Sequence, residues 1–174
     1  MRALRDPESE TPDLRRALAR FAAGVVVVAC RAEGGSPHCV IASAFNSVSL
    51  APALLLWCVP SSSRRWLGID RAYGLSVLSV AQASLLNLQD LQATPLAWES
   101  GELLGAPLLR DAAAWFEVVA AHRIENGDHD LYLAQVAGLG YSTRQTGLLR
   151  YSGQVVRSGE IAHETEHRQT LVTR

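Results

Sequence analysis

Apolar positions along this chain follow two rhythms, one helical and one extended. Leu14, Ala17, Leu18 and Phe21 recur at i, i+3, i+4 and i+7, a single apolar stripe. Thr11-Pro12-Asp13 precedes it with a hydroxyl cap, a proline suited to the first helical position and an acid in the first turn. Gly24 stands where a left-handed residue would close that helix. Residues 25–29, four valines and an alanine, are too short for an independent helix and read as a buried strand. Glu33-Gly34-Gly35-Ser36 predicts a turn into a second strand over 38–45, and 54–59 predicts a third. Ser61-Ser62-Ser63 reads as the cap of a short helix over 64–72. A fourth strand follows at 75–80, then a helix over 81–91 and an irregular excursion over 92–111 with Pro95, Gly101, Gly105 and Pro107. Two long strand-like runs, 113–124 and 131–141, are joined by residues 125–130, where Asn126-Gly127 signals a hairpin because both residues tolerate positive φ. A last short strand is expected at 148–151.

Six or more strands joined mostly by short turns, with two or three short helices inserted, argue for a mainly β domain closed into a barrel. A parallel α/β sheet would need more helices. At 174 residues one hydrophobic core suffices, so a single domain is expected over 11–155, between a loose 1–10 segment and a polar 156–174 tail.

Composition narrows the chemistry. Hydrophobic residues make up 48% and charged residues 19%, the balance of a globular chain. A formal net charge of −1 offers no field to attract nucleic acid or an anionic membrane. All 16 basic residues are arginine, which excludes mechanisms that need a lysine amine, among them Schiff-base catalysis and the P-loop. The three cysteines, Cys30, Cys39 and Cys58, form no C-x-x-C pair, and the five histidines form no H-E-x-x-H. No metal site is expected. The first residues are acidic rather than basic, and the apolar runs at 21–30 and 50–60 fall short of the ~20 residues that span a bilayer. The expectation is a cytoplasmic protein without a membrane segment.

Three stretches could carry chemistry. Ser43-Ala44-Phe45-Asn46-Ser47-Val48-Ser49-Leu50 gathers hydroxyls and an amide where a strand is expected to run into a loop. It suits a flat heteroaromatic ligand or a phosphate, or equally a turn whose side chains bond their own backbone. Ser61-Ser62-Ser63-Arg64-Arg65-Trp66 places hydroxyls at a helix start with two guanidiniums after them, either an anion site or a capped helix with solvated arginines. In Gly127-Asp128-His129 a histidine at a hairpin tip, flanked by acids, is a proton donor or ligand contact, or simply an exposed turn residue.

Taken in order, these segments and their neighbours resemble the flavin reductase-like family, the FMN-binding split barrels that reduce free flavin for two-component monooxygenases. The resemblance rests on Arg15-Arg16-Ala17-Leu18-Ala19-Arg20-Phe21-Ala22-Ala23-Gly24 before a valine strand, Pro37-His38 leading to the serine-rich segment, and Ser63-Arg64-Arg65-Trp66. It continues through Gly105-Ala106-Pro107-Leu108-Leu109, Gly127-Asp128-His129 and Leu148-Leu149-Arg150-Tyr151-Ser152-Gly153. It implies a dimeric split barrel with FMN or FAD along Val40, Ile41, Ser43, Ala44, Asn46 and Ser47. Cys58, Val59 and Pro60 would line the flavin as well, with its phosphate at Ser63, Arg64 and Arg65. It also implies NADH or NADPH beside His129, the catalytic candidate, and along Arg150, Tyr151, Ser152 and Gly153. The implied partners are a second copy of the chain and a flavin-dependent monooxygenase component. The sequence departs from the family at Cys39-Val40-Ile41, commonly Gly-Met-Thr, which removes a hydroxyl from the flavin side. Ala51-Pro52-Ala53 likewise replaces Asp-Pro-Pro.

Overall fold

The structure, a computed structural model, describes residues 11–88 and 91–156. The loose start and nearly all of the polar tail expected from the sequence lie outside those residues. Helix α1 spans Thr11–Leu18. The strands are β1 Ala23–Gly24, β2 Val26–Arg31, β3 Pro37–Ala42, β4 Ala44–Leu50, β5 Ala53–Pro60, β6 Ala72–Val77, β7 Trp98–Ser100 and β8 Pro107–Leu109. They continue with β9 Ala114–Asn126, β10 His129–Tyr141, β11 Leu149–Tyr151 and β12 Gln154–Val156.

Seven strands form one antiparallel sheet in the order β3-β2-β6-β9-β10-β5-β4. Its two outermost strands, β3 and β4, are separated in sequence by Ser43 alone. That is possible only if the sheet curls until its edges approach, and β3 does touch β5. The aromatic core reports the same curl. Trp57 on β5 and Tyr73 on β6 lie three strand spacings apart, about 14 Å on a flat sheet. Their ring centroids are 5.6 Å apart, and Trp57 stacks on Tyr132 at 5.5 Å with the planes 4° from parallel. Mainly β, barrel-like and with short helices, this is the expected fold class.

Strand β2 explains its own unbroken valine run. Val26, Val28 and Cys30 face the barrel interior, while Val25, Val27 and Ala29 face a second core with Leu78, Leu109 and Leu148. A strand buried on both faces loses the usual apolar-polar alternation. Leu86, Leu96 and Trp98 pack on this second core, so the 92–111 excursion is a cover for β2 and carries the small β7–β8 hairpin. Buried Glu117 on β9 holds the excursion down: its carboxylate accepts hydrogen bonds from the backbone N–H groups of Leu103, Leu104 and Ala106 at 2.9, 2.9 and 3.2 Å.

Several local expectations need correction. Helix α1 stops at Leu18, and Gly24 is not a left-handed cap; it pairs with Leu149 in a three-stranded sheet of β1, β11 and β12. The stripe of α1 has no core to bury against: Leu18 is 64% and Phe21 79% exposed. The serine-rich segment is not a loop but edge strand β4, paired to β5 from Ala44↔Cys58 to Leu50↔Ala53. An edge strand tolerates its hydroxyls because one side meets water. Residues 61–65 form a 3₁₀ turn with Pro60 at its start and no serine cap, and 80–87 form another, not an α-helix. The β9–β10 hairpin turns on Gly127-Asp128 rather than Asn126-Gly127, because Asn126 pairs with His129 and Gly127 alone takes positive φ, at 63°. That is the glycine-first two-residue turn.

Candidate functional site

The starting end of β4 and the end of β5 meet side by side, because Ala44 pairs with Cys58 and Cys58 with Leu131. One step further, Pro60 pairs with His129, so the sheet register alone carries the hairpin tip to the same rim. Next to this rim α1 and the β11–β12 turn form a second wall. The Ser152 N–H donates to the Ala19 carbonyl at 2.7 Å, tying that turn to the chain just past α1. Between the walls lies a cavity of about 810 Å³. Leu18, Phe21, Phe45 and Leu56 give it an apolar lining, and Ser43, Asn46, Ser152, Arg15 and Arg150 add polar groups. Apolar surface with a few convergent polar groups is the usual make-up of a small-molecule site.

The hairpin tip is rigidly held. Arg64 forks onto Asp130, Nε to Oδ2 at 2.8 Å and a terminal nitrogen to Oδ1 at 2.6 Å, and its other nitrogen reaches Glu125 at 2.8 Å. Asp130 is 1% exposed because its position on β10 points inward with Tyr132 and Ala134. The Ser61 N–H adds a bond to the Asp128 carbonyl at 2.9 Å. The Arg64 hydrogen bond holds the Asp130 carboxyl below its ordinary value against the opposing effect of burial. This pair therefore stabilises the fold fully above the unfolded carboxyl range, near pH 4, and its contribution is lost as pH falls through the lowered native value. Arg64→Met is expected to lower the melting temperature most at neutral pH, with the gap to the parent chain narrowing below about pH 4. A gap that stays constant across pH would contradict it.

His129 itself is exposed, with Nδ1 2.8 Å from Asp128 Oδ1. The bond from His129, and then its charge, hold the Asp128 carboxyl below its ordinary value. An ionised carboxylate only accepts, so Nδ1 carries the proton in this contact. Arg15 lines the cavity, and its charge adds a small further lowering of the Asp128 carboxyl. The histidine turn does not itself line the cavity.

Of the residues singled out from sequence, Ser43, Ala44, Asn46, Arg150, Ser152 and Gly153 line this one cavity. Cys58 and Pro60 lie on its rim by register, and burial pushes the Cys58 thiol up. Others point elsewhere. Val40 packs on the barrel core and Ile41 on the second core, while Val59 and Ser63 are buried. Ser47 and Tyr151 do not line the cavity. Arg64 is occupied by two carboxylates, whereas Arg65 is exposed and has no ion pair among the described residues. Sequence reasoning missed Asp130 as the anchor of the tip, and it missed Arg15, Leu18 and Phe21 as cavity wall. The stripe on α1 was visible, but nothing in it said that the stripe faces a cavity rather than the core.

The family described as Flavin reductase like domain matches residues 18–159. The chain belongs to that family. A probable flavin reductase of Rhizobium meliloti (strain 1021) is 36% identical over 166 residues, covering 85% of this chain and 53% of that protein. The reductase component of a flavin-dependent trigonelline monooxygenase from Acinetobacter baylyi is 30% identical over 150 residues, covering 78% of this chain and 48% of that protein. The chain thus spans about half the length of these two relatives. Among solved structures, the NADH:FAD oxidoreductase SgcE6 of Streptomyces globisporus C-1027 superposes with a TM-score of 0.78 at 30% identity, covering 90% of this chain and 97% of that one. A second cavity of about 400 Å³ beside Glu117 and Gly138 holds none of the singled-out residues.

Proposed function

We propose that this protein is an NADH-dependent flavin reductase that takes FMN or FAD as a substrate and releases reduced flavin to a separate oxygenase. The observation that carries the reading is the cavity of about 810 Å³, in which Ser43, Ala44 and Asn46 face Arg150, Ser152 and Gly153 across an apolar lining. The volume and mixed lining fit a flat ring system with polar edges. The named relatives, reductases of flavin and one reductase component of a monooxygenase, support the same reading.

Flavin supplies a two-electron acceptor for the hydride of the nicotinamide. The protein's own part is to bring two rings into contact and exclude water between them. Ser43 and Asn46 offer hydrogen bonds to a ring edge, Cys58 and Pro60 border it, and Arg65 is exposed for a phosphate. His129 presents Nε2 toward the nucleotide from a turn that Arg64 and Asp130 keep in place. The reading is tested by following NADH oxidation in air with and without added FMN or FAD. Saturable oxidation that depends on added flavin is expected; oxidation indifferent to flavin would reject the reading.

The same reading includes a homodimer. Strand β10 runs past the start of β5, and there Leu139 and Tyr141 stand 68% and 73% exposed, with Leu50 of β4 91% exposed. Side chains of this size are commonly covered by a partner, and a two-fold pair covers one patch with itself. Light scattering at micromolar concentration should return twice the chain mass. A monomer would remove the dimer from the account.

A further inference from the structure

Arg16, Arg64, Arg110 and Arg123 each pair with a carboxylate. Arg31, the last residue of β2, and Arg71, just before β6, are held in another way. Arg31 Nε donates to the Gly105 carbonyl at 2.9 Å, one terminal nitrogen to the Gly35 carbonyl at 3.2 Å and the other to Ser100 Oγ at 3.1 Å. Arg71 donates to the Trp66 carbonyl at 3.1 Å and to the Arg31 carbonyl. Carbonyls and a hydroxyl fix the two guanidiniums in place but cancel neither charge. Glu33 and Asp70 stand near them in the chain, yet among the described residues no carboxylate lies within ion-pair distance of either arginine. A guanidinium has five N–H donors, so both keep some unspent.

Both side chains line one cavity of about 230 Å³, together with Ala72, Leu104, Gly105 and Ala106. It shares no lining residue with the large cavity, and the proposed function makes no use of it. We infer that Arg31 and Arg71 form an anion site for a phosphate dianion, free or at the end of a small molecule. Two like charges that line one cavity repel each other, and a dianion bound there turns the repulsion into attraction. One fork of a single guanidinium is enough for a carboxylate, whereas a phosphate offers further acceptor oxygens to a second guanidinium. The donors are already pinned, so binding costs little side-chain freedom. The pinning carbonyls belong to the β2–β3 turn at Gly35, the excursion at Gly105 and Trp66 after the 3₁₀ turn. A bound anion therefore braces three segments that are distant in the chain.

The experiment titrates the full chain calorimetrically with inorganic phosphate and with AMP, in chloride at constant ionic strength, and melts it over the same phosphate concentrations. Phosphate is expected to bind and to raise the melting temperature as its concentration rises, as a ligand of the native state does. Arg71→Gln should weaken phosphate binding about tenfold, the loss of one charge-assisted contact, and lose most of that rise. Arg71 also ties backbone segments, so its variant can melt lower by itself, and the measure is the increment that phosphate adds. Leu104→Glu keeps both arginines, keeps the backbone bond to Glu117 and places a carboxylate in the cavity, so it should abolish the increment in a folded chain. Arg65→Gln removes the same charge from outside this cavity and should leave phosphate binding unchanged. AMP binding that is weaker than phosphate makes the occupant the free ion, and tighter AMP binding with the same dependence on Arg71 makes it a phosphate ester. No phosphate binding by the parent chain overturns the inference. So does an Arg65→Gln loss equal to that of Arg71→Gln, or an increment that survives both Arg71→Gln and Leu104→Glu. No arm uses flavin or NADH, so the outcome is independent of the proposed function.

Discussion

His129→Ala is expected to lower NADH-dependent flavin reduction about tenfold or more, the lower end of what a positioned acid-base group contributes. Flavin affinity should change little. The expectation follows from where the fold puts this side chain. His129 opens β10 opposite Pro60, at the rim next to Ala44 and Cys58, and is exposed. Its Nδ1–H is taken by Asp128, which leaves Nε2 as the ring nitrogen free of that bond. Hydride transfer leaves negative charge on the reduced ring near neutral pH, and an imidazole close by can stabilise it or orient the carboxamide of the nicotinamide. Asp128→Asn keeps the shape of the turn but loses the charge that fixes the tautomer, so it should give a smaller loss of the same kind. Steady-state rates and flavin titrations on both variants check this. Full activity in His129→Ala would make it an ordinary turn residue, and a loss explained wholly by weaker flavin binding would move it to the flavin.

Trp57→Ala should destabilise the protein by about 3–5 kcal/mol, the usual cost of deleting a large buried aromatic ring. Trp57 is fully buried, stacked on Tyr132 and edge-on to Tyr73. Trp57 and Tyr73 join β5 and β6, three spacings apart in sheet order, with Tyr132 of neighbouring β10 stacked on Trp57, so removing Trp57 opens a void at the point where the curl closes. Small domains have only about 5–15 kcal/mol in reserve. The variant should therefore be near its threshold, and the site at the end of β5 should loosen with it. Trp57→Phe keeps a ring in the stack and removes an indole N–H that has no hydrogen-bond partner among the described residues, so its cost should be clearly smaller. Urea unfolding of both variants tests the pair. An alanine variant within about 1 kcal/mol of the parent would contradict the core described here.

Much of the fold was legible because local chemistry agrees with the tertiary result. The valine run, the turn at 33–36 and the two long strands around Gly127 all stand close to where the pattern put them. The misplacements share a cause. Helix α1 was expected to run to Gly24 on the strength of its stripe, but residues 23–24 pair with β11, more than a hundred residues later in the chain. The serine segment looked like a loop because its side chains are polar, yet edge pairing with β5 needs only backbone groups. The site divides the same way. Ser43, Asn46, Arg150 and Ser152 stand out as polar groups in short motifs. Arg64 looked like a free anion ligand because its partner, Asp130, lies 66 residues away and is brought to it by the β5–β10 pairing. No local pattern announces a carboxylate of that kind.

The central claim is that flavin is a substrate which comes and goes, and one anaerobic measurement addresses it directly. The protein is mixed with NADH and a large molar excess of FMN or FAD, and the flavin absorbance band is followed. The account predicts bleaching of many equivalents of flavin per chain, limited by NADH. Bleaching that stops at one equivalent per chain would mark a prosthetic flavin serving another substrate, and no bleaching at all would mark a flavin-binding protein without reductase chemistry. Either result would contradict the account.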